Sequence, residues 1–297
     1  MGWLRGADGR LQPTLRVALY LPAFLLTALL LGTVPALLLA PELFAWPRSG
    51  SDALVGPTAL AFAASSALAA ALSTWIFRRL VDRRPWTGLG LSLARGWLTE
   101  LGRGFGLGAA LMGAVAAVEL GFGWYRLDGL APAESAVRDV ALGLLLHAAV
   151  GFGEELVTRG YMLQTLAETW GSRWSAVISS ALFGLFHLAN PGGGVTPVLG
   201  VFWAGLMLAG GYLATRRLWL PIGLHWAWNF FQGPVFGFPV SGTGAGGLLR
   251  VSAVGPEPLS GGQFGPEASL VGVAACLLGT AVLWHRAGKA GVLPLKG

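Results

Sequence analysis

The chain has 297 residues, of which 54% are hydrophobic and only 11% charged, with a net charge of +6. Soluble domains are roughly a quarter charged, so this composition excludes a soluble globular protein and indicates a polytopic membrane protein with one membrane domain, residues 1–297. The basic residues cluster between apolar segments and not on an aromatic-interleaved polar face, which excludes a nucleic-acid partner, and the single cysteine, Cys276, excludes an intrachain disulfide or a Cys-rich metal site.

The fold predicted is all-α, a bundle of about eight transmembrane spans, because a lipid-embedded backbone must satisfy its own hydrogen bonds. The N-terminal apolar run, residues 17–41, exceeds the length of a signal-peptide core and reads as a retained first helix. Spans follow at 53–77, 105–125, 139–160, 174–190, 196–215, 218–239 and 268–285. With these spans, 16 Arg and Lys residues fall on the side of both termini and four (Arg48, Arg126, Arg138 and Arg250) on the other. The positive-inside rule then places both termini in the cytoplasm. Trp46, Trp75, Trp124, Trp170, Trp174, Trp219 and Trp284 lie near segment ends, as expected of interfacial rings. The Arg78–Arg103 connection alternates charge and apolar positions and reads partly as an interfacial amphipathic helix. Residues 240–267, rich in Gly, Pro and Ser, read as an extracytoplasmic loop, and their GGQFGPE as turn chemistry. Gly104 and Gly108, four apart, suit close helix packing. Residue usage, with 18 Arg against 2 Lys, fits a high-GC bacterial source, and hence a bacterial cytoplasmic membrane.

Charged groups inside a membrane are costly and are functional candidates by default. GFGEELVTRG places Glu154, Glu155 and Arg159 beside an apolar run. Glu155 and Arg159 have the favourable i,i+4 ion-pair order, which leaves Glu154 on an adjacent face as a candidate general base. LFGLFHLAN places His187 in the fifth span, and IGLHWAWNF stacks His225 and Asn229 on one face of the seventh. If the motif helix runs on to Trp170, Glu154 lies ~24 Å from that end at the helical rise. Two histidines and a carboxylate also make a zinc set by ligand type, but there is no His-Glu-x-x-His helix, and asparagine is a better oxyanion donor than zinc ligand. The expectation is therefore no cofactor, with zinc as the rival. Glu119 is expected to snorkel outward, His147 to bond a carbonyl, and Gln232 to support Asn229 from one turn away.

The three motifs, EELVTR, FGLFH and HWAWN, occur in this order on successive membrane helices. Together they resemble those of the CPBP family of intramembrane glutamic endopeptidases, which includes the CAAX prenyl endopeptidases and bacteriocin-processing and self-immunity proteins. The resemblance implies a catalytic core over 139–233. In it Glu154 would activate water with help from His187, His225 and Asn229 would hold the oxyanion, and Glu155 and Arg159 would support the base. It implies a membrane-anchored peptide or protein as substrate, such as a prenylated tail or a leader peptide. The competing expectations are a non-catalytic membrane scaffold or immunity-type binding protein, and a proton-coupled transporter, against which the lack of an internal repeat counts.

Overall fold

The computed structural model describes residues 4–6, 9–39, 56–244 and 247–289. The first predicted connection, with Trp46 and Arg48, lies outside the described residues, as does Lys296.

The chain is a helical bundle: α1 (Pro13–Leu39), α2 (Pro57–Ile76), α3 (Trp97–Gly121), α4 (Ala133–Glu155), α5 (Gln164–Phe186), α6 (Val195–Thr215), α7 (Trp219–Phe230), α8 (Glu257–Ser260) and α9 (Leu270–Lys289). Among the described residues six helical runs are long and apolar enough to cross a membrane. One of them, Ala133–Phe186, breaks at Gly171, where φ 67° and ψ 168° leave the helical region. Its two arms and the shorter α7 supply helices for the remaining predicted segments. The motif helix thus runs unbroken past residue 160, the expected end of its span, and turns only after Trp170.

Three further expectations are corrected. The Arg78–Arg103 connection forms no separate amphipathic helix. It holds a π-helical turn (Phe77–Val81) and a 3-10 turn (Trp86–Leu89), and α3 starts at Trp97, eight residues earlier than the predicted span. The stretch 240–267, read as a loop, contributes a strand, β2 (Leu249–Ala253), which pairs antiparallel with β1 (Tyr125–Leu130), Tyr125 opposite Ala253 and Leu130 opposite Leu249. Arg159, one of the 16 basic residues counted on the side of the termini, lies inside the helical run and not between spans.

Close packing depends on glycine, as expected where helices associate in lipid. A Cβ on Gly104 would stand 2.0 Å from the Leu220 carbonyl, and one on Gly108 2.4 Å from that of Leu224. From the other helix, a Cβ on Gly223 would stand 2.1 Å from the Leu101 carbonyl. Both helices therefore meet backbone to backbone, which fixes the depth and rotation of α7, the carrier of His225 and Asn229.

A second anchor lies at the arginine-rich end. Arg16, 1% exposed, donates to Asp82 at 2.7 Å and to Glu168 at 2.5 Å, and Arg84 reaches the same Glu168 at 2.7 Å. A buried arginine shared by two carboxylates ties α1 to the end of α2 and to α5, the continuation of the motif helix.

Candidate active site

The polar residues singled out from the three motifs come together. Glu154 on α4, His187 at the end of α5, and His225 and Asn229 on α7 all line one cavity of about 600 Å³. Helix α2 closes one wall with Ala59, Phe62, Ala63 and Ser66. Against it, Gly153 lets the motif helix approach closely, since a Cβ there would stand 3.1 Å from the backbone of Ala67.

The motif helix changes pitch at the site. Residues Leu156–Leu163 are π-helical, directly after the two glutamates, and Phe231–Val235 are π-helical directly after the end of α7. Such wide turns inside α-helices recur at functional sites. At the first, Thr158 Oγ1 donates to the Glu154 carbonyl at 2.6 Å, which gives that backbone acceptor a partner where the ladder shifts.

Glu155 points away from the cavity and is fully buried. Arg159 Nη1 donates to its Oε1 at 2.8 Å, the ion pair predicted from their spacing. The guanidinium is itself fully buried, and it also donates to Thr158 Oγ1 at 2.7 Å and to the Gly205 carbonyl at 2.8 Å, lying 4.6 Å over the Phe183 ring. The same Glu155 Oε1 meets His225 Nδ1 at 3.0 Å, a contact the spacing did not foretell. An ionised carboxylate only accepts, so Nδ1 carries hydrogen and the ring turns Nε2 toward Glu154, whose Oε2 is 3.7 Å away. Glu154 itself is partly open to the cavity, its side chain 38% exposed.

His187 is oriented the same way by a different partner. Its Nδ1 lies 2.8 Å from the Phe183 carbonyl one turn back, so Nδ1–H donates to that oxygen and Nε2 is left as the acceptor in the neutral ring. Phe183 packs edge-on against both His187 and His225.

Several residues were read differently from the sequence. Glu119 does not snorkel; it is fully buried. His147 lines the cavity two turns before Glu154, and its Nδ1 has no hydrogen-bond partner among the described residues, where a carbonyl bond was expected. Gln232 donates to the Pro239 carbonyl at 2.6 Å, so it holds the chain after α7 and not Asn229.

Asn190, Ser241, Thr243 and Glu267 also line the cavity and were missed. Glu267 is the acid of GGQFGPE; its one signal was a carboxylate immediately before the last predicted span, in a stretch read as turn. Among the described residues, no three His, Cys, Asp or Glu side chains form a metal-ligating group.

Apolar helices long enough to cross a membrane, surrounding a cavity into which a few polar side chains converge, define an integral membrane protein. Residues 136–231 match the family described as type II CAAX prenyl endopeptidase Rce1-like, which supports the CPBP/CAAX-protease resemblance carried by the three motifs. The matched segment spans α4 to the end of α7 and includes Glu154, Glu155, Arg159, His187, His225 and Asn229. No curated protein matches the chain.

Proposed function

We propose that this protein is a glutamic-type intramembrane endopeptidase with both termini in the cytoplasm of a bacterium, acting on lipid-anchored or otherwise membrane-held polypeptides. The observation that carries the reading is the convergence of Glu154, His187, His225 and Asn229 from separate helices on one cavity.

In this mechanism a water molecule between Glu154 and His187 loses a proton to Glu154 as its oxygen bonds to the scissile carbonyl carbon. His187 Nε2 accepts the other water hydrogen as a hydrogen bond and so orients the attack. The carbonyl oxygen becomes an oxyanion. His225, protonated at both nitrogens and braced at Nδ1 by Glu155, donates to it from Nε2, and the Asn229 amide donates from one turn further along α7. Donors of this kind contribute ~3–4 kcal/mol each in hydrolases. When the tetrahedral centre collapses, the C–N bond breaks and Glu154 returns its proton to the leaving amine. No acyl-enzyme forms, and no cofactor takes part. The substrate class follows from the matched family and from the enclosure of the cavity by apolar helices: a prenylated tail or a leader peptide, held at the membrane.

Purified wild type and Glu154→Gln, each in nanodiscs with membrane-tethered peptides and with or without chelator, test the reading. Cleavage by the wild type alone, indifferent to chelator, is expected. Equal cleavage by Glu154→Gln refutes the base assignment, and activity lost to chelator but restored by zinc replaces it with a metal mechanism. Binding by both proteins with cleavage by neither establishes a scaffold.

A further inference from the structure

The cavity is lined in part by a hairpin tip, Val240–Thr243, whose local sequence does not favour its own conformation. Val240 and Thr243 exchange both backbone hydrogen bonds, Val240 N–H to Thr243 O at 3.1 Å and Thr243 N–H to Val240 O at 2.8 Å. The two residues between them, Ser241 at φ 47° and Gly242 at φ 78°, are both left-handed, as two-residue hairpin turns require. Glycine suits its position. A Cβ on Gly242 would also stand 1.8 Å from the Pro191 carbonyl. Serine does not suit its own: Asn, Asp or Gly is the usual first residue of such a turn, and a non-glycine residue held there is strained and persists only where its surroundings over-determine it.

The surroundings of Ser241 do so from both sides. Its N–H donates to the carboxylate of Glu267, which is 5% exposed, and its carbonyl accepts from Asn190 Nδ2 at 2.9 Å. Gly242 N–H donates to the Phe264 carbonyl at 2.8 Å, and Gln232 holds the approach at Pro239. Glu267 is seated by the packing of its backbone on α6, where a Cβ on Gly200 would stand 2.3 Å from the Glu267 carbonyl. Asn190 belongs to the turn that leaves His187, since Asn190 N–H donates to the His187 carbonyl at 3.2 Å. The clamp therefore joins the His187 turn, the hairpin tip and the segment before α9, and Ser241, Thr243, Asn190 and Glu267 all face the cavity.

We infer that this tip is a substrate subsite, with Ser241 presenting its hydroxyl to the backbone of a bound lipid-anchored peptide, and that Glu267 and Asn190 are positioning residues that hold Ser241 in the left-handed conformation which aims it. The inference rests on the proposed peptide substrate, but it concerns binding and not hydrolysis. A rigid tip avoids the ordering cost that a mobile loop would bear on each binding event.

The test measures the Kd of a dansylated, farnesylated pentapeptide for Glu154→Gln protein in nanodiscs, with Glu267→Ala, Asn190→Ala, Ser241→Gly or Ser241→Gly plus Glu267→Ala added. Cleavage of the same peptide by the wild type is followed in parallel. Glu267→Ala and Asn190→Ala are each expected to weaken binding ~10-fold, the scale of one well-placed hydrogen bond. Ser241→Gly loses the hydroxyl, but glycine takes positive φ without strain. Adding Glu267→Ala to it therefore changes Kd less than twofold. This non-additivity is the signature that a general structural role for Glu267 would not produce. An unchanged Kd for Glu267→Ala, or an equal loss in both backgrounds, overturns the inference even if the wild type cleaves the peptide. The expected pattern without cleavage upholds the subsite and refutes the hydrolase. Absence of both binding and cleavage overturns both.

Discussion

Replacement of Glu155 by glutamine tests the pivot of the site. The substitution keeps size and a hydrogen-bond acceptor but removes the charge that compensates Arg159, and both side chains are fully buried. Removing one partner of a buried ion pair costs ~3–5 kcal/mol, because the other charge is left uncompensated. The remaining acceptors of Arg159, Thr158 Oγ1 and the Gly205 carbonyl, and the Phe183 ring, survive the change and place the loss at the lower end, ~3 kcal/mol. For a chain of this size that corresponds to a fall in Tm of ~6–12 °C, read by intrinsic tryptophan fluorescence on heating in detergent. Glu155→Gln combined with Arg159→Met removes both charges of the pair and recovers part of the loss, since no uncompensated guanidinium remains, while the altered contact to His225 persists. A Glu155→Gln protein within ~1 °C of wild type, or a double variant as unstable as the sum of its singles, would show that the pair is not electrostatically coupled and would undo the argument.

His225→Ala and Asn229→Ala should each lower kcat by ~10²–10³ with little change in KM, as loss of one oxyanion donor does, measured by steady-state peptide cleavage; a rise in KM alone would assign them to binding. Gly104→Ala forces α3 from the Leu220 carbonyl and should destabilise the protein by ~1–3 kcal/mol, the range for overpacking, while Gly102→Ala, where a Cβ meets no atom within 4 Å, leaves Tm unchanged or slightly raised. Arg16→Leu leaves buried Asp82 without its 2.7 Å partner and should cost ~3–5 kcal/mol, relieved by adding Asp82→Asn, again read by thermal unfolding.

The candidate catalytic residues were legible because of where they sit. Glu154, His187, His225 and Asn229 interrupt runs of apolar residues, and in such runs a polar side chain is costly enough to demand an explanation. The Glu155–Arg159 pair was legible from spacing alone, since helical geometry puts i and i+4 side by side. That Glu155 also grips His225, seventy residues away, follows only from the depth at which α7 lies, and glycine contacts with α3 set that depth.

Glu267 and Ser241 were illegible for the complementary reason. Outside the spans a carboxylate or a hydroxyl normally faces water, so its presence in a Gly- and Pro-rich stretch carries no signal, and Asn190, the last residue of its predicted span, reads as an ordinary polar span end. Glu119 and His147 were misread because a lone polar residue in a span does not disclose which face its helix turns inward. By itself the sequence determined the membrane class, the helical fold and four of the polar residues that line the cavity, since hydropathy and helical period are local properties of the chain. The tertiary structure alone decided that a distant loop returns to line the cavity and that Glu155 serves two partners. Both depend on long-range backbone approach, which no local periodicity encodes.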